Sequence, residues 1–256
     1  MESFGASQRP LVLVAARMTS SRLPSKALME FGGQPLLGYV VAAVSAASGI
    51  SGVVVTTSSH PTDDAIARWC STQQVHVWRG DLHDVASRML GAAAHYGASG
   101  FVRISGDSPM IDPHIISHGA TQFASADVDI VTNVSPRTFP PGQSVEVVRA
   151  EALERLLRLE DVGPHDHEHV TPVLYKHARA LRILSFGPSD VASTTPEVGA
   201  TYGAMSIDSP TDADCFREVL QSEGRPDIWN LGWQRCGKSM ALARQKVGAN
   251  SELSRD

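Results

Sequence analysis

Short apolar runs alternate with longer amphipathic segments through the first half of the chain. The runs lie at residues 11–15, 52–57, 75–78, 101–105 and 128–131. The first two lack the alternation of a half-exposed strand and are typical of strands buried on both faces. The segments between the runs, at residues 35–48, 62–69, 82–96 and 113–123, have helical length and spacing. This alternation predicts a doubly wound α/β sheet that binds its ligands at the carboxyl ends of the strands.

The rhythm changes after residue 133. Residues 135–142 are rich in proline and predict a loop, followed by a strand at 145–148 and a helix at 150–159. The pattern then predicts a helix at 168–177, a strand at 181–186, a long loop or hairpin at 185–202 and a last short strand ending at Ile207 and Asp208. A helix at 211–221 follows. Beyond residue 223 the signals are weak, and residues 248–256 are expected to fray.

The size of the chain limits the number of domains it can form, and its charge limits the partners it can bind. With 256 residues, 42% of them hydrophobic, it can build one sizeable core. We expect a flexible N-terminus at residues 1–9, one domain at 10–222 and a C-terminal extension at 223–256. Residues 133–205 are expected to form the acceptor and dimerisation part of that domain. The net charge of −5 argues against binding to a nucleic acid polymer, because contacts to the phosphate backbone need a basic face.

Neither membrane insertion nor secretion is indicated. No run approaches the roughly 20 apolar residues that span a bilayer, and the first residues lack the basic and apolar regions of a signal peptide. The three cysteines are far apart and show no CxxC spacing, so a disulfide framework or a zinc site is not expected. A cytoplasmic location is the expectation.

A basic segment directly follows the first strand. Residues 15–26 hold Arg17, Arg22 and Lys26 at the edge where an α/β sheet binds its ligand. A triphosphate carries about four negative charges, and guanidinium groups match phosphate geometry. A solvated basic loop is the alternative. The segment is neither G-x-G-x-x-G nor a P-loop, so a Rossmann dehydrogenase or a P-loop kinase is not supported.

Six segments in order resemble the cytidylyltransferases, in particular the spore-coat polysaccharide cytidylyltransferases, the CMP-Kdo synthetases and their acylneuraminate relatives. They lie at residues 17–36, 56–67, 78–85, 102–113, 168–172 and 207–212. The resemblance covers about residues 10–222. It implies the nucleotide-diphospho-sugar transferase fold, a Rossmann-like three-layer sandwich with a mixed, mostly parallel sheet. It also implies Mg²⁺-dependent transfer of CMP from CTP to a small acidic acceptor with release of pyrophosphate, and it makes a homodimer plausible.

The resemblance assigns a role to most of the candidate residues. Arg17, Arg22 and Lys26 are the catalytic cations that neutralise the triphosphate. The predicted nucleotide-binding residues are these three cations, the metal ligand Asp107, and four more residues: Ala15, Ala16, Arg79 and Arg88. Asp107 and Asp208 form the Mg²⁺ pair, since Mg²⁺ prefers one or two carboxylates together with water and phosphate oxygens. Asp208 could instead cap the following helix, and Arg79 and Arg88 could be surface residues.

The acceptor is less well defined. Spore-coat relatives carry a segment resembling Asp-Gly-Leu-Asp-Val-Glu-Val where this chain has Pro141-Gly-Gln-Ser-Val-Glu-Val147. The loss of two acidic positions favours an anionic acceptor, either a sugar acid of the Kdo or nonulosonate type or a hydroxyalkyl phosphonate. The candidate acceptor-binding residues are Arg103, Arg137, Gln143, Glu146 and His169. Ser25 replaces a glycine of the relatives' Leu-Pro-Gly-Lys, and this should be tolerated if the backbone there is not left-handed.

Two rival functions remain open. A glycosyltransferase of the same fold normally carries an Asp-x-Asp metal motif after a strand. Asp127-Val-Asp129 has that spacing but precedes its strand. A noncatalytic nucleotide-binding module would lack the metal aspartates or Lys26, and all three are present. The cluster of histidines at residues 165–169 is expected to have a structural or acceptor-side role rather than to bind a metal.

Overall fold

The computed structural model describes residues 8–191, 197 and 199–253. In this part of the chain the strands are β1 (Leu11–Ala15), β2 (Glu30–Phe31), β3 (Gln34–Pro35), β4 (Val53–Ser58), β5 (His76–Gly80), β6 (Gly100–Ser105), β7 (Ile130–Thr132), β8 (Glu146–Arg149) and β9 (Ile183–Ser185). Seven of them form one sheet in the order β5-β4-β1-β6-β8-β7-β9, while β2 and β3 form a small hairpin sheet. Strand β8 runs antiparallel to both neighbours and the other pairs are parallel, so the sheet is mixed and mostly parallel.

Nine helices pack around the sheet in the described residues. They are α1 (Leu36–Ser45), α2 (Asp64–Thr72), α3 (Val85–His95), α4 (Pro113–Ser125), α5 (Ala150–Leu156), α6 (Pro164–His169), α7 (Pro172–Lys176), α8 (Pro210–Glu223) and α9 (Trp233–Leu253). None of these described helices is both long and apolar enough to cross a membrane.

Side chains that alternate along the strands separate two cores. Val12 and Val14 of β1 belong to the cluster that includes residues of α1, α4, α8 and α9, whereas Leu11 and Leu13 belong to the cluster with α3, α5 and α7. Successive side chains of a strand point to opposite faces of a sheet. The molecule is therefore a three-layer sandwich, and the predicted alternation of strands and helices is confirmed.

Three sequence-based predictions are corrected. The helix expected at residues 168–177 is two short helices, because Val170 between them has a φ of 70°, which a continuous helix does not allow. No strand ends at Ile207 and Asp208; instead, the Ile207 amide donates a single hydrogen bond of 2.8 Å to the carbonyl oxygen of Asp107. Of residues 248–256, which were expected to fray, residues 248–253 continue helix α9 and residues 254–256 lie outside the described residues.

Helix α9 is the main element that the sequence did not reveal. Its buried face consists of Trp233, Cys236, Met240 and Ala243, at the three- and four-residue spacing of an amphipathic helix. Polar residues between these positions keep the local hydropathy low. Of the loop or hairpin expected at 185–202, residues 192–196 and 198 lie outside the described residues, as do residues 1–7 of the expected flexible N-terminus.

Candidate active site

The basic segment leaves the carboxyl end of β1 and is anchored by a buried aspartate. Asp63, which is fully buried, accepts a hydrogen bond of 2.8 Å from the Met18 amide with one oxygen. Its other oxygen accepts from the amide of Ser58, at 3.1 Å, and from the Ser58 hydroxyl. The Ser25 amide closes the loop with a 2.9 Å bond to the Met18 carbonyl oxygen. These bonds fix a turn that directs the cationic side chains over the end of the sheet.

Ser25 adopts a left-handed conformation, with φ 59° and ψ 16°. The condition under which serine was expected to be tolerated there is therefore not met. A left-handed residue other than glycine costs about 1–2 kcal/mol. The strain lies directly before Lys26, the residue that the turn presents to the site.

Lys26 lies between the two aspartates that were predicted to bind a metal. Its Nζ is 2.7 Å from Oδ2 of Asp107 and 2.9 Å from Oδ1 of Asp208, and it also donates to the Ile207 carbonyl oxygen at 3.3 Å. Asp107 follows the end of β6, and the bond from Ile207 to its carbonyl oxygen brings Asp208 beside it. The fold thus brings a lysine and two carboxylates together from three distant parts of the sequence.

The two carboxylates suit a hard divalent cation. Because one ammonium nitrogen reaches both, they lie close enough to share a single cation. The described residues contain no group of three or more His, Cys, Asp or Glu side chains arranged for a metal. Two carboxylate ligands, with the remaining positions left to water and phosphate, match the way Mg²⁺ is bound in nucleotide sites.

The two arginines of the segment differ in their surroundings. Arg17 forms an ion pair of 2.9 Å with Glu168 at the end of α6. The hydrogen bond from Arg17 holds the pKa of the Glu168 carboxyl below its ordinary value. Arg22 is more exposed and pairs with Asp208 at 3.2 Å. Both guanidinium groups stand at the rim of the same opening as Lys26.

These groups line a cleft of about 310 Å³ at the carboxyl ends of β1 and β6. This volume lies at the lower end of the range for small-molecule sites. Ten of the predicted site residues line it: Ala15, Ala16, Arg17, Arg22, Lys26, Arg88, Arg103, Asp107, His169 and Asp208. The remaining four do not.

Arg88 reaches the cleft from helix α3 and is almost completely buried. Burial lowers the pKa of its guanidinium. One terminal nitrogen, Nη1, donates to the Asp81 carbonyl oxygen at 2.7 Å, while Nε has no partner among the described residues. Gly80 permits this packing, because a Cβ at that position would lie 2.9 Å from Cγ of Arg88. A buried donor beside the cleft is suited to reading an acceptor atom of a bound base.

Three predicted residues have other partners. Arg79 donates to the Ser58 carbonyl oxygen at 2.9 Å and to the Asp64 carboxylate at 2.7 Å, outside the cleft. The exposed Arg137 donates to the Ser144 hydroxyl at 3.1 Å. Gln143 is fully buried, and its side-chain amide bonds the Asp112 amide and the Met110 carbonyl oxygen. A side chain held in this way supports the loop rather than facing a ligand.

Glu146 lies beneath the cleft and orients Arg103. Its carboxylate is 3.1 Å from Nη1 of Arg103, and it accepts hydrogen bonds from the Tyr175 hydroxyl at 2.6 Å and the Thr171 hydroxyl at 3.1 Å. Burial, together with the adjacent Glu146 charge, raises the pKa of Tyr175, which keeps this hydroxyl a donor. Arg103 and His169 then supply the cationic and ring nitrogens on this side of the cleft.

Three residues of the site were missed from the sequence. Asp63 and Glu168 belong to the motifs that carry the family resemblance, but their types gave no sign that they would anchor the loop and pair with Arg17. Asp212, in the first turn of α8, accepts hydrogen bonds from the amides of Asp208 and Ser209. The serine three residues before it is the sequence signature of a capping box, which could have identified it.

The Asp-x-Asp motif lies away from the cleft. Asp129 pairs with Arg182 at 3.1 Å, and Asp127 contacts the same guanidinium before β7 begins. Its two carboxylates serve to hold β9 beside β7.

Comparison with known proteins places the chain in a family. A model of the family described as cytidylyltransferase matches residues 11–215. The 3-deoxy-manno-octulosonate cytidylyltransferase of Methylorubrum populi is 34% identical over 242 residues, which is 82% of this chain and 96% of that protein. The spore coat polysaccharide biosynthesis protein SpsF of Bacillus subtilis is 28% identical over 225 residues, which is 85% of this chain and 89% of that protein.

A solved structure supports the fold. A cytidylyltransferase from Leptospira borgpetersenii superposes with a TM-score of 0.75 over 96% of both chains, at 23% sequence identity. The predicted fold class and the resemblance drawn from the six motifs are confirmed by these matches. The chain belongs to the cytidylyltransferase family and is a nucleotidyltransferase.

Proposed function

We propose that this enzyme transfers CMP from CTP to a small sugar acid of the 3-deoxy-manno-octulosonate type, uses Mg²⁺ and releases pyrophosphate. The observation that carries the proposal is the Lys26 ammonium between Asp107 and Asp208, at the end of a basic segment. A site for a metal triphosphate needs carboxylates that bind the metal cation and, beside them, cationic side chains that bind the phosphates.

The triphosphate is bound by the cations of the basic segment. Arg17 and Arg22 are both more than a third exposed, so they can move from their carboxylate partners to phosphate oxygens. Lys26 exchanges its two carboxylates for phosphate in the same way. Bound on Asp107 and Asp208, Mg²⁺ supplies charge neutralisation for the phosphates. The backbone at Ala15 and Ala16 and the buried Arg88 accommodate the cytosine.

The acceptor side of the cleft is formed by Arg103 and His169. Arg103 lines the cleft and is held in place by Glu146, so its guanidinium offers a cationic donor to an acceptor carboxylate. An acceptor hydroxyl oxygen attacks the α-phosphorus, a new O–P bond forms, and the bond from that phosphorus to the bridging oxygen of pyrophosphate breaks, while the hydroxyl proton is released to solvent. The protein supplies positioning and charge stabilisation rather than a nucleophile.

Pyrophosphate detection tests the proposal. The enzyme is incubated with Mg²⁺, CTP and a panel of sugar acids, with a parallel panel of hydroxyalkyl phosphonates, and the products are identified by mass spectrometry. We expect pyrophosphate and a CMP sugar acid in equal amounts, dependent on both substrates. Asp107→Asn should reduce the rate by about a hundredfold, the size of an electrostatic contribution of roughly 3 kcal/mol. Turnover of a nucleotide sugar with none of CTP would refute the proposal.

A further inference from the structure

Helix α9 reaches the proposed metal carboxylates through one arginine. Arg244 lies on the fourth turn of this helix, and its Nη2 is 2.6 Å from Oδ1 of Asp212. The same nitrogen donates to the Ala204 carbonyl oxygen at 3.3 Å. One guanidinium therefore holds the first turn of α8 and the start of the segment that leads to Asp208.

The second oxygen of Asp212 holds Asp208 itself. Oδ2 accepts from the Asp208 amide at 3.1 Å and from the amide and hydroxyl of Ser209 at 2.9 and 2.8 Å. Asp212 is 8% exposed, so its charge depends on partners within the protein. Arg244 is the cation that pairs with it. One carboxylate oxygen of Asp212 thus binds α9, and the other binds the backbone that carries Asp208.

Few other bonds fix that backbone. The strand that the sequence predicted at Ile207 and Asp208 is absent, so no ladder of hydrogen bonds restrains it. The backbone around Asp208 is restrained by the Ile207 amide bond to Asp107, by the Lys26 bond to the Ile207 carbonyl oxygen at 3.3 Å and by the bonds to Asp212. Loss of the ion pair would leave Asp212 held through one oxygen only, which would weaken its hold on the Asp208 backbone.

The packing of α9 against the same segment supports this arrangement. The Gly203 amide donates to the Gly237 carbonyl oxygen at 2.8 Å, and a Cβ at Gly203 would lie 2.9 Å from the Ala241 nitrogen. The segment before Asp208 therefore lies directly on the backbone of α9. A glycine is needed for this approach, since any larger residue would separate the two.

We propose that Arg244 is a positioning residue, which acts through Asp212 to fix the Asp208 carboxylate for the divalent cation of the nucleotide site. The inference rests on the proposed function, because it takes Asp208 as a metal ligand. Groups that orient metal ligands typically change metal affinity by 10- to 100-fold when they are removed. Arg244 is about a third exposed, so we expect the lower end of that range.

Binding of Mn²⁺ tests the inference without turnover. Free Mn²⁺ is measured by electron paramagnetic resonance in the presence of α,β-methylene CTP, which cannot transfer CMP. Arg244→Ala should raise the Kd for Mn²⁺ about tenfold. Arg244→Lys should have an intermediate effect, because an ammonium can still pair with Asp212. Lys246→Ala is the matched control, because Lys246 also joins α9 to α8, through a 2.6 Å contact with Glu218, and has no bond to Asp212 or Asp208 among the residues that the structure describes. It should bind Mn²⁺ as the unmodified enzyme does.

A second measurement distinguishes loss of the Asp208 position from a general destabilisation of the nucleotide site. The affinity for CMP in EDTA, measured by calorimetry, should be unchanged in all three variants, because CMP binds without the metal pair. Equal Mn²⁺ affinities for Arg244→Ala and Lys246→Ala would overturn the inference, as would a loss of CMP affinity as large as the loss of Mn²⁺ affinity. Should Arg244→Ala not fold, Arg244→Lys carries the same comparison with Lys246→Ala. Absence of Mn²⁺ binding by the unmodified enzyme with the CTP analogue would instead refute the proposed function.

Discussion

Replacing Lys26 should affect metal binding and catalysis in opposite directions. The ammonium occupies the space between Asp107 and Asp208, so a cation that binds there without nucleotide must displace it. Lys26→Met keeps the length of the side chain and removes the charge. The two carboxylates then lack their shared cation, and their mutual repulsion favours any divalent ion that enters. The same change removes a phosphate-binding group, so transfer of CMP should slow.

The size of the effect follows from the two contacts. Hydrogen bonds to charged groups contribute about 1.5–3 kcal/mol each. Lys26 and Asp107 are 16% and 17% exposed and Asp208 is 29% exposed, so partial screening reduces the sum. We take about 2 kcal/mol as the cost of displacing Lys26, which corresponds to roughly a thirtyfold gain in Mn²⁺ affinity for the nucleotide-free variant. The rate of pyrophosphate release should fall by about a hundredfold.

Nucleotide-free Mn²⁺ titration is the assay, with pyrophosphate release measured on the same preparations. Arg22→Met should give a smaller gain in Mn²⁺ affinity, because Arg22 is largely exposed and pairs with Asp208 but not with Asp107 in the described part of the chain. Lys176→Met is a neutral control, since Lys176 pairs with Asp161 away from the cleft. If Lys26→Met bound Mn²⁺ no more tightly than Lys176→Met, the ammonium would not compete with the metal, and the assignment of this carboxylate pair would fail.

Three further predictions concern the support of the site. Ser25→Gly should raise the free energy of unfolding by about 1 kcal/mol in urea titrations, because glycine relieves the left-handed strain, whereas Ser25→Ala should not. Asp63→Ala should lower the free energy of unfolding by about 3 kcal/mol and raise KM for CTP, because the buried donor at Ser58 and the partly buried donor at Met18 lose their acceptor. Asp64→Ala, which leaves both bonds in place, should not change KM. Burial opposes ionisation of Glu223, but hydrogen bonds from Arg235 and Ser239 hold its pKa below the ordinary 4.5. Glu223→Gln should therefore be less stable than the unmodified protein at pH 7. The difference in unfolding free energy should disappear as the pH falls below 4.5. A difference that stays constant with pH would show that the ionised carboxylate is not its cause.

The sheet could be predicted from the sequence because its strands are short apolar runs between helices. The run at residues 11–15 is strand β1 without a change of boundary. Helix α9 was missed although its buried positions have helical spacing, because a glycine, a lysine and a serine stand between Cys236 and Met240 and keep the local hydropathy low. What makes it a helix is the surface of α8 and of residues 202–205 against which it packs, and that surface exists only after the chain has folded.

The sequence offered a sound reason to expect Lys26 and Asp107 close together, but not a correct one for Asp208. Lys26 and Asp107 follow strands whose carboxyl ends meet at one edge of the sheet, so their proximity follows from the topology. Asp208 was expected beside them as the end of a strand that does not form. Its place results from the Ile207 bond to Asp107 and from the hydrogen bonds of Asp212. Side-chain partners of this kind are not encoded in local periodicity.

The contacts of Gln143, in the altered segment at residues 141–147, also could not be predicted from the sequence, and they change the reasons for expecting an anionic acceptor. Gln143 was interpreted as part of a loss of acidic groups that favours an anionic acceptor. In the folded chain its amide bonds the Asp112 amide at 2.9 Å and the Met110 carbonyl oxygen at 2.7 Å, while a carboxylate oxygen of Asp112 accepts from the Trp233 amide at 3.1 Å. Gln143 therefore joins the loop to the residues before α4, and Asp112 joins these residues to the start of α9. An anionic acceptor is then favoured by Arg103 alone, because it lines the cleft and a cation that Glu146 holds in position selects for an acceptor that can pair with it.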